Sequence, residues 1–316
     1  MQEEALRMLN KFSLIAAAFA LSMSTSALEA KELNSVGIIV GPLGNPFYVA
    51  LAKGIEAEVK KINPTAKVTA VSNDYDLNKD VTAMETFIAS GTDIIFLDAA
   101  DSVAIEPTVK KAIAAGVTVV GVDAGAKGAP VNLTVDNTAA GQIACDYLAE
   151  KLSHKGNVVI IDSVPMVAIA QRVDGCKAAL AKYPDIKILS AEERGDGSRD
   201  SGLKVMQTLL TRFPDVNGVF SINDQMAMGA DLAAKQLHRT IDITGIDGSP
   251  EAEEALKGDT MFVGTAAQSP FNVGAQSVKA GYDLFQGKKP EKDLILIAPT
   301  LVTRGDIGQY KGWKAN

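Results

Sequence analysis

Short polar side chains follow the apolar, β-branched runs of this sequence at the points where those runs end. They are Asn45, Asp98 and Asp123 in the first half of the chain, and Asn223, Asp247 and Gln268 in the second. Carboxylate oxygens accept hydrogen bonds, and amide groups both donate and accept them, which suits neutral hydroxyl groups. Phe47 and Tyr48 add flat apolar faces suited to the C–H side of a sugar or polyol. These residue types predict a binding site for a small polyhydroxylated molecule.

Two other interpretations of these residues remain open from the sequence. Asn and Asp after a strand often cap the following helix, and capping alone would account for Asn223 or for its neighbour Asp224. Asp98 and Asp123 are also the residue type of a glycosidase carboxylate pair, so a glycoside-acting enzyme on the same cleft is the alternative function. Polar residues at six strand ends, spread over both halves, favour a shared binding site.

The sequence gives little support for a metal site. One segment has the ligand spacing of an EF-hand calcium loop: Asp74, Asp76, Asn78, Asp80 and Glu85. Lys79 stands where that loop requires glycine, so we interpret the segment as a capped helix start. The chain has only two His and two Cys, which leaves little material for zinc. We predict no metal ion.

Catalytic and cofactor motifs are also missing from the sequence. His154 and His238 lie in polar helix ends and no G-x-S-x-G motif is present, which disfavours Ser-His-Asp catalysis. Gly41 and Gly44 do not make the G-x-G-x-x-G turn of a dinucleotide site. We therefore predict a binding protein without a cofactor.

The elements that must position these residues follow a regular rhythm. Apolar runs at 35–40, 67–71, 93–97 and 118–122 alternate with helical patterns, and the rhythm restarts after 132–135 with runs at 158–161, 186–190, 218–221, 241–246 and 294–297. Continuous apolar runs are typical of parallel strands covered on both faces. The pattern predicts two doubly wound α/β domains of similar build, with ligands bound outside the carboxyl ends of the strands.

Composition agrees with two globular domains. A chain of 316 residues with 47% hydrophobic and 22% charged residues is ordinary for a folded protein of this size. The formal net charge is −7, and no basic tract stands out. A nucleic-acid partner is therefore not expected.

The first thirty residues have a different character. An apolar run at 12–23 follows Lys11 and precedes small residues, which predicts a secretory signal peptide at 1–30 cleaved near Ala27 or Ala30. The run is too short to span a bilayer. Met8 is an alternative start to Met1, because Glu3 and Glu4 fit poorly in a basic leader. We expect a soluble protein exported to the periplasm.

The two cysteines lie on the first two predicted helices of the second half. Cys145 and Cys176 flank one strand in a protein that we expect in an oxidising compartment. We predict that they form a disulfide. The alternative is two small buried apolar residues.

Several long stretches, together with the signal peptide and the two-lobed pattern, resemble a known family. The sequence looks like a periplasmic sugar-binding protein of the ribose-binding type, the receptor of an ABC importer. The resemblance covers essentially the whole mature chain and is most specific in GNPFY at 44–48, DNTAAGQIACDYL at 136–148, VMQTLLTRFPDVNGVFSINDQMAMGA at 205–230 and ITGIDGSPEAEEAL at 243–256.

The resemblance implies a periplasmic binding protein-like type I fold, in which a three-segment hinge joins two Rossmann-like lobes. The crossovers match positions 135–136, 268–269 and 298–299. The amino-terminal lobe would contain residues 31–135 plus 269–298, and the carboxy-terminal lobe 136–268 plus 299–316.

The resemblance also implies which residues hold the sugar. Asn45, Phe47, Tyr48, Asp98 and Asp123 match ligand positions of the first lobe, and Asn223, Asp247 and Gln268 match those of the second. This chain departs from the family where Ala124 and Ala170 replace arginines and where Gly197 replaces an aromatic residue. Arg172 matches an arginine that does not contact the ligand, so we interpret it as structural. These departures favour a pentose or an open-chain polyol over ribose held in the usual way.

The family further implies a function and partners. Hinge closure on the sugar would create the shape that the membrane permease recognises. A chemoreceptor remains a second possible partner, and we expect a monomer. Repressors of the lactose type share this core but need a helix-turn-helix at the amino terminus, where this chain has a signal peptide.

Overall fold

The computed structural model describes residues 30–313, and the predicted signal peptide at 1–30 lies outside them except for Ala30. From Leu33 onward the described chain forms one folded unit. Within residues 30–313 no helix combines the length and the apolar character needed to cross a membrane.

The first lobe is built on a six-stranded, fully parallel sheet with the order β11-β5-β4-β3-β1-β2. Its strands are β1 (Ser35–Val40), β2 (Lys67–Ser72), β3 (Ile94–Leu97), β4 (Thr118–Val122), β5 (Val131–Val135) and β11 (Leu294–Ile297). Its helices are α1 (Pro46–Ile62), α2 (Leu77–Ala89), α3 (Glu106–Ala114) and α9 (Pro270–Phe285).

The second lobe is built on a six-stranded sheet with the order β12-β10-β9-β8-β6-β7. Its strands are β6 (Gly156–Ile161), β7 (Ile186–Ser190), β8 (Gly218–Ser221), β9 (Asp242–Asp247), β10 (Phe262–Ala267) and β12 (Thr300–Thr303). Its helices are α4 (Asn137–Lys151), α5 (Val167–Leu180), α6 (Arg199–Arg212), α7 (Asp224–Gln236) and α8 (Pro250–Lys257).

Strand β1 illustrates why continuous apolar runs form these sheets. Ile38 and Val40 face a core shared with α1 and α9, whereas Ile39 between them faces a core shared with α2 and α3. All three side chains are fully buried. Because helices cover both faces of the sheet, every position along the strand must be apolar.

The chain passes between the two sheets at three places. Strand β5 pairs in the first sheet, and the following α4 packs on β9 and β10 of the second. Strand β10 belongs to the second sheet, and the following α9 packs on α1 and β4 of the first. The last passage is the short link from β11 to β12.

The type and order of the elements agree with the predicted two doubly wound domains, and three details differ. The predicted apolar runs do not include β10, at 262–267. The sequence pattern gave no strand for β12, which pairs antiparallel with β10 at the sheet edge. It also gave no helix for α8, which is only eight residues long. The β12 segment, TLVT, has polar residues at both ends, and four of the eight residues of α8 are charged, so neither shows a clear apolar pattern.

The acidic segment before α2 is a helix start, as predicted. The Asp76 side chain caps α2 by accepting a hydrogen bond from the Asn78 amide at 2.8 Å. Asp74 pairs with Lys79 at the surface. Among residues 30–313 no group of three or more His, Cys, Asp or Glu side chains is arranged to hold a metal ion.

Helices α4 and α5 pack closely against each other. A Cβ atom at Gly141 would collide with the Arg172 carbonyl, and one at Gly175 would collide with the Thr138 carbonyl, so both positions require glycine. Cys145 and Cys176 are joined by a disulfide across this interface, with their Cα atoms 5.1 Å apart.

Candidate ligand-binding cleft

Side chains from both lobes line a single cavity of about 40 Å³. The first lobe contributes Asn45, Phe47, Tyr48, Tyr75 and Asp123, and the second contributes Ser163, Met166, Ala168, Ile169, Arg172, Gly197, Ile222, Asn223 and Asp247. Of the eight residues predicted from the sequence, six therefore lie together at this cavity. Asp98 and Gln268 lie behind it.

The start of α1 forms the aromatic wall of the first lobe. Asn45 caps the helix by accepting a hydrogen bond from the Phe47 amide at 3.0 Å, and Pro46 supplies the preset backbone angle of a first helical residue. This cap fixes Phe47 and Tyr48 in the first turn, where each is only 6% exposed. Their rings meet edge to face with centroids 5.4 Å apart.

Tyr75 extends this wall from the loop after β2. Its ring lies edge to face against Tyr48 with centroids 6.1 Å apart, and the two hydroxyl oxygens are 3.2 Å apart. Burial raises the pKa of Tyr75 to about 12 and that of Tyr48 well above its ordinary value. Both phenols are therefore neutral hydroxyl groups at any physiological pH.

Asp98 is held behind the wall by the backbone. Its carboxylate accepts hydrogen bonds from the Gly41 amide at 3.3 Å and the Ala124 amide at 3.1 Å. The residue is 1% exposed, and burial, followed by the nearby Asp123 charge, raises its pKa well above the ordinary value. Asp98 thus braces the loops after β1 and β4 from behind.

Asp123 lies at the end of β4 and does reach the cavity. Its backbone has a left-handed φ of 53°, which turns the chain at the carboxyl end of the strand. No residue of the described chain donates a hydrogen bond to its carboxylate. Burial raises its pKa, and the Arg172 charge opposes that rise. Among residues 30–313 its carboxylate has no hydrogen-bond donor, so it presents an acceptor to the cavity.

Asp247 and Gln268 form a pair on the second lobe. Gln268 Nε2 donates a hydrogen bond to Asp247 Oδ1 at 2.6 Å. Only Asp247 lines the cavity, so Gln268 holds the carboxylate from behind. Burial raises the pKa of Asp247 to about 6 even though Arg172 and Gln268 favour its charged form.

Asn223 combines both roles that the sequence left open. Its side-chain oxygen caps α7 by accepting from the Met226 amide at 2.9 Å. Its Nδ2 donates to the Gly197 carbonyl at 2.9 Å, and the residue also lines the cavity. The neighbouring Asp224 is fully buried and does not reach the cavity.

Sequence reasoning missed several cavity residues, among them Tyr75, Ser163 and Met166. Tyr75 follows β2, and Ser163 follows β6. The rule that polar groups gather at the carboxyl ends of strands would have indicated both if it had been applied to those two strands. Met166 carries no such signal, since it precedes a helix in an irregular loop.

The cleft is equipped for binding rather than for turnover. Asp98 and Asp123 do not face a common space, because Asp98 does not line the cavity and uses both oxygens on backbone amides. The cavity instead offers carboxylate, amide and hydroxyl groups beside aromatic faces. This combination recognises hydroxyl groups and C–H surfaces of a small polar molecule.

Comparison with known proteins identifies the family. Residues 36–289 match the sequence profile of the periplasmic binding protein domain. The ribose import binding protein RbsB of Bacillus subtilis is 35% identical over 84% of this chain and 86% of its own length. The xylitol-binding protein of Mycolicibacterium smegmatis is 28% identical over 92% of this chain and 85% of its own length.

Solved structures lead to the same family. A periplasmic solute-binding protein of an ABC transporter from Actinobacillus succinogenes, crystallised with D-allose, superimposes with a TM-score of 0.82 at 26% identity, covering 88% of this chain and all of its own. The two parallel-dominated lobes described above have the type I architecture of such proteins. The chain therefore belongs to the periplasmic binding protein family, as a substrate-binding protein of the ribose type and not an enzyme.

Proposed function

We propose that this protein captures a pentose or a sugar alcohol between its two lobes and delivers it to the membrane permease of an ABC importer. The observation that carries this proposal is the cavity to which both lobes contribute polar and aromatic side chains. A ligand that contacts both walls stabilises the closed arrangement over the open one. The permease would bind that closed shape.

The lobes that close are those predicted from the sequence: residues 31–135 plus 269–298, and residues 136–268 plus 299–316. The three passages between the sheets support hinges near 135–136, 268–269 and 298–299. The protein would act as a monomer, since one chain supplies both walls of the cavity. A signal peptide at 1–30 would direct it to the periplasm.

Six of the predicted residues would touch the ligand. They are Asn45, Phe47, Tyr48, Asp123, Asn223 and Asp247. Asp98 and Gln268 would act through the groups that they hold: Asp98 through the loop amides of Gly41 and Ala124, and Gln268 through the Asp247 carboxylate.

The composition of the cavity favours a ligand rich in hydroxyl donors. Arg172 is the only cation among the lining residues of the described chain, against the carboxylates of Asp123 and Asp247. Ionised carboxylates only accept hydrogen bonds. The Asp123 carboxylate, which accepts no hydrogen bond from residues 30–313, would accept one from a ligand hydroxyl. Ala124 supplies only a backbone amide where the family has an arginine.

The wall of the cavity at Gly197 is open. Gly197 leaves the second wall without an aromatic side chain. The space beside it is open, since a Cβ atom there would meet only Asn223 Nδ2 at 3.6 Å and Ser163 Oγ at 3.8 Å. One stacking face, that of Phe47, suits an open chain better than a flat ring held between two aromatics.

Calorimetric titration of the purified mature protein tests this proposal. Pentoses and sugar alcohols should bind at one site per chain, and chromatography should recover the added compound unchanged. Recovery of a cleaved or isomerised product would instead indicate an enzyme. Absence of heat with every compound of both classes would contradict capture of a pentose or polyol.

A further inference from the structure

The segment after β12 is anchored on the second lobe. The Arg304 guanidinium donates hydrogen bonds to the carbonyls of Leu256 at 2.9 Å, Gly258 at 2.6 Å and Phe262 at 3.0 Å. Farther along, the Tyr310 hydroxyl donates to the Gly248 carbonyl at 2.6 Å. These bonds hold the segment against the second lobe as it runs towards the cleft.

Trp313 reaches the loop that bears Asp247. Its indole Nε1 donates a hydrogen bond to the Asp247 carbonyl at 2.8 Å. The same carbonyl also accepts a hydrogen bond from the backbone amide of Gln268 at 3.1 Å. Asp247 has a φ of 125°, a conformation that a residue with a side chain adopts only when its surroundings hold it there. Trp313 and Tyr310 are part of those surroundings.

Trp313 also touches the opposite lobe. Its ring lies edge to face against Phe47 with centroids 5.8 Å apart and an interplanar angle of 82°. Phe47 belongs to the first lobe, whereas Asp247 belongs to the second. One residue outside the cavity lining therefore contacts a proposed ligand residue on each side of the cleft.

We propose that Trp313 is a positioning residue of the cleft, which holds the Asp247 loop in its binding geometry and packs on Phe47 when the lobes close. The proposal rests on the proposed function, because it assigns the C-terminal segment a part in ligand capture. Opening the lobes separates Trp313 from Phe47 but leaves its bond to Asp247 intact. Trp313 thus adds to the stability of the closed state without touching the ligand.

Hydrogen exchange of the sugar-free protein tests the bond to Asp247. Trp313→Phe keeps an aromatic ring and removes the N–H donor, so amide exchange in the loop at residues 247–249 should be faster by roughly 2- to 12-fold, the effect of one lost hydrogen bond. Lys311→Ala is the matched control, since Lys311 is an exposed neighbour in the same segment. Equal exchange in the parent, Trp313→Phe and the control would overturn the positioning role.

Titration with D-ribose and with xylitol tests the contact across the cleft. Trp313 is the only tryptophan of the chain, so the emission change on binding has a single source. Tryptophan emission should change when the protein is saturated with sugar. The dissociation constant should be higher for Trp313→Leu than for the parent. Trp313→Phe should regain part of the lost affinity, because it keeps an aromatic ring against Phe47. The contact across the cleft would be overturned by a sugar that binds the parent by calorimetry without changing its emission and that binds Trp313→Leu equally tightly.

The two arms separate this inference from the proposed function. Failure of both sugars to bind the parent counts against the proposed function, and the exchange experiment still decides whether Trp313 holds the loop. A lower Tm for Trp313→Leu with unchanged exchange and affinity would show a structural role only, which contradicts the proposal.

Discussion

Arg172 Nη1 lies 3.5 Å from Asp247 Oδ1, and both side chains are more than nine-tenths buried. The same guanidinium donates to Asn137 Oδ1 at 2.8 Å and to the Ile222 carbonyl at 2.9 Å. It therefore ties the start of α4 and the ends of β8 and β9 together at the cleft. The sequence interpretation of Arg172 as structural agrees with these bonds, while its place in the cavity lining also puts its charge within reach of a ligand.

Replacement of Arg172 by Met should lower the free energy of unfolding by about 3 kcal/mol, because it removes the cation from a buried pair and leaves the other charge behind. Lys182→Met is the matched control, since the Lys182–Asp146 pair at 2.9 Å is exposed and should contribute less than about 1 kcal/mol. Denaturant unfolding measures both. Similar losses in the two variants would contradict a special role for Arg172.

Asp247→Ala should weaken binding of the sugar by about 1–3 kcal/mol, because a ligand hydroxyl loses its acceptor in a buried site. Stability should fall as well, because removal of the carboxylate leaves the buried Arg172 guanidinium without its acidic partner. Calorimetric titration measures the affinity, and denaturant unfolding measures the stability. Parent-like affinity would remove Asp247 from the ligand site.

Asn223→Ala should show two separate losses. Binding should weaken by about 1–3 kcal/mol for the reason given for Asp247, and stability should fall by about 1 kcal/mol because Asn223 caps α7. Asp76→Ala removes the cap of α2, away from the cavity, and should lose stability alone. If both variants bind like the parent, Asn223 is only a cap.

Affinity should depend on pH through Asp247, whose pKa burial raises to about 6. Ligand hydroxyls donate to the ionised form, so affinity should rise as pH increases through about 6 and level off above 7. With this pKa about one-tenth of the groups are ionised at pH 5, which predicts roughly tenfold weaker binding there than at pH 8. Titrations at both pH values measure the change, and Asp247→Asn should flatten it. An equal pH dependence in Asp247→Asn would assign it to another group.

The Cys145–Cys176 disulfide should stabilise the protein by about 3–4 kcal/mol, since it closes a loop with a sequence separation of 31. Unfolding with and without reductant measures the difference. Alkylation of the unfolded, non-reduced protein should find no free thiol. Two labelled cysteines in protein isolated from the periplasm would contradict the bond.

The sequence pattern predicted the fold from strongly periodic elements. Runs such as 35–40, 118–122 and 218–221 have the same bounds in the structure, because strands covered on both faces are apolar throughout. Helix α6 begins at Arg199, because Ser198 caps it, and its first turn is polar. Such a turn carries a capping signal but no apolar periodicity.

The site was only partly predictable from the sequence. The sequence indicates which residues follow a strand, but it does not indicate which of their side chains face the cleft. Asp98 and Asp123 look alike in sequence, yet two backbone amides bind the first and leave the second facing the cavity. Trp313 lies 66 residues from Asp247 and follows no strand of the predicted pattern. Only the folded C-terminal segment brings the two together.

A thermal-shift screen of the purified mature protein against pentoses, hexoses and sugar alcohols shows directly which class of carbohydrate binds in the cleft. A ligand at one hundred times its dissociation constant should add about 2.7 kcal/mol to the free energy of unfolding and raise Tm measurably. We expect that increase with a pentose or a sugar alcohol. Stabilisation by ribose alone, with the other pentoses and the sugar alcohols inert, would show that the missing arginines do not matter, and no increase with any carbohydrate would contradict the account of the cleft.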